Sequence, residues 1–170
     1  MNRTLTAAAV VTGIAALAVG PLAPAQAATR TTVSGTYQFV DATIPVPRVA
    51  SDHLVLDGLT ATVVWTGTFE GTSHLTGRLV LRPIGNGDPF LGTANYQYTD
   101  VFVGTVNGVP GTMTLLEEGQ TGKDGIVHSK NVVISASGGL AGLTGMVMGT
   151  GTVAGPNGPS GSYAGSLSMP

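Results

Sequence analysis

From Thr31 onward apolar and small polar residues alternate with a period of two, and Gly, Asn, Asp or Pro interrupts the alternation at short intervals. A strand points successive side chains to opposite faces, so the pattern predicts consecutive antiparallel strands with one dry face. Val33, Tyr37 and Phe39 share one parity against Ser34, Thr36 and Gln38. Trp65 and Phe69 oppose Thr66, Thr68 and Glu70, and Tyr163 and Leu167 oppose Ser162, Ser166 and Ser168. The expected strands are 31–40, 60–70, 73–83, 95–107, 111–119, 127–136, 145–153 and 160–169. Asn107-Gly108, Asp124-Gly125 and Asn157-Gly158 supply turns, since such pairs accept the positive φ that tight hairpins need. No segment of this region carries a helical stripe.

Eight strands can stack as a sandwich or close into one barrel. Gly35, Gly67, Gly77, Gly104, Gly149, Gly151 and Gly165 lie inside strand patterns. Glycines there relieve crowding where a small barrel coils sharply, and closure removes the exposed edges that invite aggregation. The predicted fold is therefore all-β, a single eight-stranded antiparallel β-barrel over residues 28–170. Such a barrel either fills its interior with side chains or keeps room for one small ligand. Two connections, 41–59 and 84–94, are longer than a hairpin turn and serve either as caps over a barrel mouth or as Pro-rich surface crossings.

Residues 1–27 read differently. Arg3 precedes an apolar stretch from Ala7 to Val19, followed by Gly20-Pro21 and the small-residue ending Ala25-Gln26-Ala27. This is the layout of a secretory signal peptide, with cleavage expected after Ala27. About thirteen apolar residues at 1.5 Å each reach about 20 Å, short of a hydrocarbon core of about 30 Å, so no stable membrane anchor is expected after cleavage. The expected location is secreted or extracellular.

Composition narrows the functional classes. Charged residues make up only 9 % of the chain, the seven Lys and Arg are scattered, and the net charge is −2, so no basic stripe is available for a phosphate backbone and no nucleic-acid partner is expected. Without cysteine there is no disulfide framework, thiolate chemistry or iron–sulfur cluster. His53, His74 and His128 are dispersed with no metal-ligand spacing, so no metal site is expected. Ser137-Gly138-Gly139-Leu140-Ala141-Gly142 lacks the Lys-Ser/Thr ending and the βαβ setting of a phosphate cradle. The mature chain has no Gly-x-Ser-x-Gly elbow, which argues against a serine hydrolase.

Val64-Trp65-Thr66-Gly67-Thr68-Phe69-Glu70-Gly71-Thr72-Ser73 resembles a segment of the allene oxide cyclase barrel-like family. The resemblance continues through Phe102-Val103-Gly104-Thr105-Val106-Asn107-Gly108 and Gly111-Thr112-Met113-Thr114-Leu115. It ends on Ser137 to Gly145 and Gly161-Ser162-Tyr163, and covers most of 60–169. Within the family the chain is most similar to a bacterial branch with no established activity. The resemblance implies an eight-stranded, calycin-like barrel akin to plant cyclases and dirigent proteins, which direct an apolar reactive intermediate without a cofactor. That branch carries an acidic residue on the strand containing Asp100 and a histidine near Glu117, where this chain has Leu116-Glu117-Glu118. A histidine-dependent role therefore does not transfer.

Counting by twos from Phe102 puts Asp100, Tyr98 and Tyr96 on its face, and counting from Met113 and Leu115 puts Glu117 on theirs. If Asn107-Gly108 joins these strands as a hairpin, Asp100 and Glu117 are near neighbours inside the barrel. Two carboxyls in a low-dielectric lumen do not both ionise readily, so one keeps its proton near neutral pH and can act as an acid; at strand ends on the rim, water instead solvates both acids and the parity means little. Glu70 and Glu118 fall on the outward parity. Tyr37, Trp65, Tyr98, Phe102 and Tyr163 share the interior, either as aromatic walls for a ligand or as a solid core.

Two functions follow. The first is a secreted barrel binding an apolar small molecule. The second is a cofactor-independent cyclase or isomerase with Asp100 and Glu117 as acid/base groups and the tyrosines as orienting donors. Export favours the first, because a reactive cyclisation intermediate needs its producing enzyme close by. Assembly into a homo-oligomer through outer strand faces is a third option, although those faces look mostly Thr and Ser.

Overall fold

The alternating segments form strands in the computed structural model, which describes residues 29–83, 92–153 and 158–169. In chain order they are β1 (Thr29–Thr43), β2 (Arg48–Ala50), β3 (His53–Gly67), β4 (Phe69–Pro83) and β5 (Gly92–Val106). β6 (Val109–Thr121), β7 (Ile126–Gly138), β8 (Thr144–Thr152) and β9 (Ser160–Met169) complete the set. From β3 to β9 each strand pairs antiparallel with the next, β9 pairs with β1, and β1 pairs with β3. Eight strands thus hydrogen-bond in a closed ring, the expected barrel. The three-residue β2 stands outside the ring, paired with β3. The expected signal at 1–27 and the segment Asn86 to Phe90 lie outside the described residues.

The strand boundaries differ from the sequence expectation in two places, for physical reasons. The segment 41–59 is not a single long connection, because β1 continues to Thr43 and β3 begins at His53. Register shifts hide the alternation there. One falls between Phe39 and Asp41 and another between Asp57 and Leu59. The extra residues are Val40 and Gly58, the latter with φ +81°. An inserted residue flips the parity, which is why Leu56 and Leu59, three apart, are both buried. The expected strand 60–70 is in fact two strands, broken at Thr68, so Trp65 lies two residues before the end of β3 while Phe69 opens β4.

Tyr163 clamps that turn. Its hydroxyl accepts the Phe69 backbone N–H at 2.7 Å and donates to the Thr66 carbonyl at 3.2 Å. Its ring stacks on Phe69 at 4.7 Å, and Trp65 meets it edge-on at 5.3 Å. Phe102 packs on Phe69 at 5.8 Å. Burial of each such ring contributes roughly 2–3 kcal/mol, so this cluster anchors the lower half of the barrel.

The connection from β7 to β8 also enters the core. Leu140 and Leu143 are 0 % and 3 % exposed, and the Gly139 N–H binds the Pro110 carbonyl at 3.0 Å. The Gly-rich run is therefore a plug that seals the end where β6 begins. Outside, Val103, Ile134 and Met148 are more than half exposed, with Val101 and Met146 less so. The outer wall is thus more apolar over β5 to β8 than the Thr/Ser alternation suggests.

Candidate functional site

The polar interior lies toward the opposite end, where β5 begins and β6 finishes. The β5–β6 register sets Tyr96 opposite Gly119, Tyr98 opposite Glu117, Asp100 opposite Leu115 and Phe102 opposite Met113. Depth follows from this order. Tyr96 is partly exposed and Phe102 fully buried, while beyond Tyr96 a second apolar cluster of Leu56, Leu81 and Ala94 is buried again.

Asp100 lies between Tyr96 and Phe102, wholly enclosed at 0 % exposure. The Trp65 indole N–H donates to Ser73 Oγ at 2.8 Å, and Ser73 in turn donates to Asp100 Oδ2 at 2.8 Å. Asp100 Oδ1 is buried without a partner. Burial pushes this carboxyl up to about 6, opposed by the Ser73 hydrogen bond and by the nearby His74. The chain Trp65–Ser73–Asp100 ties β3, β4 and β5 together. Ser73 and Asp100, both fully buried, offer no face to an incoming molecule.

Glu117 is placed differently. It is partly exposed toward the mouth and accepts hydrogen bonds from the Ser129 and Tyr96 hydroxyls. Burial, and after it the negative charge of Asp100, pushes its carboxyl up to about 7. Ser129 is itself held by Asn131 Nδ2 at 3.1 Å, while Asn131 Oδ1 is left without a donor. Burial and the Glu117 charge push Tyr37 up to about 12, and the same causes raise Tyr96 and Tyr98. The phenols therefore stay neutral at any physiological pH.

Glycines make room for these rings. A Cβ at Gly119 would meet the Tyr96 ring, and one at Gly151 or Gly161 would meet the Tyr37 hydroxyl. Between these rings is a gap of about 10 Å³, room for about one water molecule, while a larger, more open hollow of about 320 Å³ lies at the rim beside Ala94, Thr121 and His128. The gap is lined by Tyr37, Phe39, Val63, Trp65 and Tyr163 on one side and by Glu117, Ser129, Asn131 and Gly149 on the other. The lower barrel is a filled core rather than an apolar cavity.

All seven residues singled out from the sequence point inward, but they separate by depth. Glu117, Tyr37, Trp65 and Tyr163 reach the gap; Tyr98 is packed beside it. Asp100 and Phe102 lie below, sealed from solvent. Asp100 and Glu117 are brought together as diagonal neighbours, close enough for the charge of one to disfavour the other. Three polar residues, Ser73, Ser129 and Asn131, were missed. Their signal was parity: Ser73 falls in step with Leu75, and Ser129 and Asn131 with Val127 and Val133. His74, Glu70 and Glu118 are exposed on the outside.

Residues 33–158 match the family model DUF3224, described as "Protein of unknown function". A crystal structure at 1.84 Å of a DUF3224 protein of unknown function from Shewanella oneidensis MR-1 superposes with a TM-score of 0.55 at 20 % identity. The match covers 84 % of this chain and 98 % of that one, and the two share the fold. No curated protein matches the chain. With most of its length covered by the family model, the chain belongs to the DUF3224 family.

Proposed function

We propose that this chain is exported and binds a small amphiphilic molecule at the mouth of its barrel, as its resemblance to allene oxide cyclase-like and dirigent barrels suggests. The observation that carries the reading is the position of Glu117, a partly exposed inward carboxyl that lines a gap above a sealed core. Partly exposed rings of Tyr37, Phe39 and Tyr96 surround it. An apolar body would lie against these rings while one polar group enters the gap. The small volume of the gap argues against an apolar molecule engulfed by the barrel.

A second reading, a cofactor-independent cyclase or isomerase, is favoured by one feature. A carboxyl titrating at about 7 can both take and return a proton near neutral pH. In that case Glu117 is the group that meets substrate and the Tyr96 hydroxyl orients it. Asp100 acts only through its charge.

Native mass spectrometry of the protein from the culture medium of its own host tests the binding and export readings together. The expected species is a chain beginning at Ala28 that carries a non-covalent organic adduct. A bare chain in repeated preparations would overturn binding, and a cell-retained chain that keeps residues 1–27 would overturn export. Incubation that returns the recovered molecule as a ring-closed or isomerised product would favour the enzymatic reading.

A further inference from the structure

The chemistry of the gap selects the polar group that enters it. Glu117 supplies a carboxylate, Ser129 a hydroxyl oxygen shared with Glu117 and Tyr96, and Asn131 an Oδ1 with no donor. Ser129 Oγ accepts from the Asn131 amide Nδ2 at 3.1 Å, which leaves Asn131 Oδ1 as a bare acceptor on the same wall. Among the described residues, no Lys, Arg or His lines the gap. The wall is therefore rich in acceptors and without a cation. Opposite it stand the faces and edges of Tyr37 and Trp65, 5.8 Å apart, and aromatic faces attract cations.

A primary ammonium has three donors and no acceptor, and it is about the size of a water molecule. A trimethylated head is too large for a gap of about 10 Å³, and an anion would meet the Glu117 carboxylate. We propose that the mouth gap receives a primary ammonium group on an apolar stem, with Glu117 as its counter-ion and the Tyr37 and Phe39 rings against the stem. The ligand class is then an alkylamine or arylalkylamine. This rests on the amphiphile reading above and adds the identity of the head group.

Trp65 is the sole tryptophan and lines the gap, so its emission reports on occupancy. The folded protein is titrated at pH 8 with hexylammonium, 1-hexanol, hexanoate and hexyltrimethylammonium, which share one stem. The expected result is a saturable change with hexylammonium at least tenfold tighter than with any of the other three. Glu117→Gln should bring hexylammonium to the level of 1-hexanol, and Ser129→Ala should weaken it several-fold, both with wild-type circular dichroism. Equal binding of hexylammonium and 1-hexanol would overturn the ammonium assignment while leaving the amphiphile reading standing. No saturable response to any head group would mean that the gap holds water only, and would also overturn it. The adduct sought by mass spectrometry is a separate readout, so the two proposals can fail independently.

Discussion

Tyr98 and Glu117 stand directly opposite one another on β5 and β6, and Asp100 sits one inward position deeper on the same face as Tyr98. This pairing divides the polar interior in two. Above it, Glu117 meets the mouth through Ser129 and Tyr96; below it, Asp100 is sealed and tied to Trp65 through Ser73. One acid is available for recognition. The other belongs to the core.

The buried acids make stability fall as pH rises. Asp100 titrates at about 6 in the folded chain against an ordinary 3.8, and Glu117 at about 7 against 4.5. Between these limits the folded protein holds protons that the unfolded chain releases, so their contribution is full below about pH 4 and is lost by about pH 7. For Asp100 alone the loss is on the order of 3 kcal/mol at most. Urea denaturation at pH 4.5 and 7.5 should show the wild type losing more stability than Asp100→Asn over that interval. Parallel losses in the two proteins would contradict the assignment.

Ammonium binding should follow the ionisation of Glu117. The groups facing it are Tyr96, Tyr98 and Asp100 from β5, Ser129 and Asn131 from β7, and Tyr37 across the barrel. Of these only Asp100 titrates near neutrality. With Glu117 at about 7, hexylammonium affinity read from Trp65 emission should rise about tenfold between pH 6 and pH 8. A flat profile would exclude Glu117 as the counter-ion.

Tyr163→Phe removes one oxygen and keeps the ring. The buried Phe69 N–H then loses its acceptor, at a cost of about 1–3 kcal/mol. Chemical denaturation should register that loss, and amide exchange at Phe69 should accelerate. An unchanged midpoint would mean that the ring contacts and the hydrogen bonds of Thr68 hold the turn without the Tyr163 hydroxyl.

Leu140→Ala should open the plugged end. Its side chain is fully buried in a connection rather than a strand, and truncation is expected to cost about 2–4 kcal/mol. The mouth lies at the other end of the barrel, so hexylammonium affinity should stay within twofold of wild type under conditions where the variant is folded. A loss of less than 0.5 kcal/mol would show that the connection only covers the barrel and does not plug it.

Much of this was legible in the chain. Period-two alternation places Tyr37, Trp65, Tyr98, Phe102 and Tyr163 on one face, because a strand gives every second residue the same side. The same count turns Asp100 and Glu117 inward. Parity fails where a residue is inserted, so Val40 and Gly58 concealed the true extent of β1 and β3. The Gly-rich run before β8 reads locally as a turn, and only the open end of a closed ring gives Leu140 and Leu143 a place to bury. Side-chain direction is thus a local property that sequence alone determines. Depth along the barrel axis depends on register between distant strands and on what fills each end. That is why tertiary structure alone decided that Asp100 is sealed while Glu117 faces the mouth.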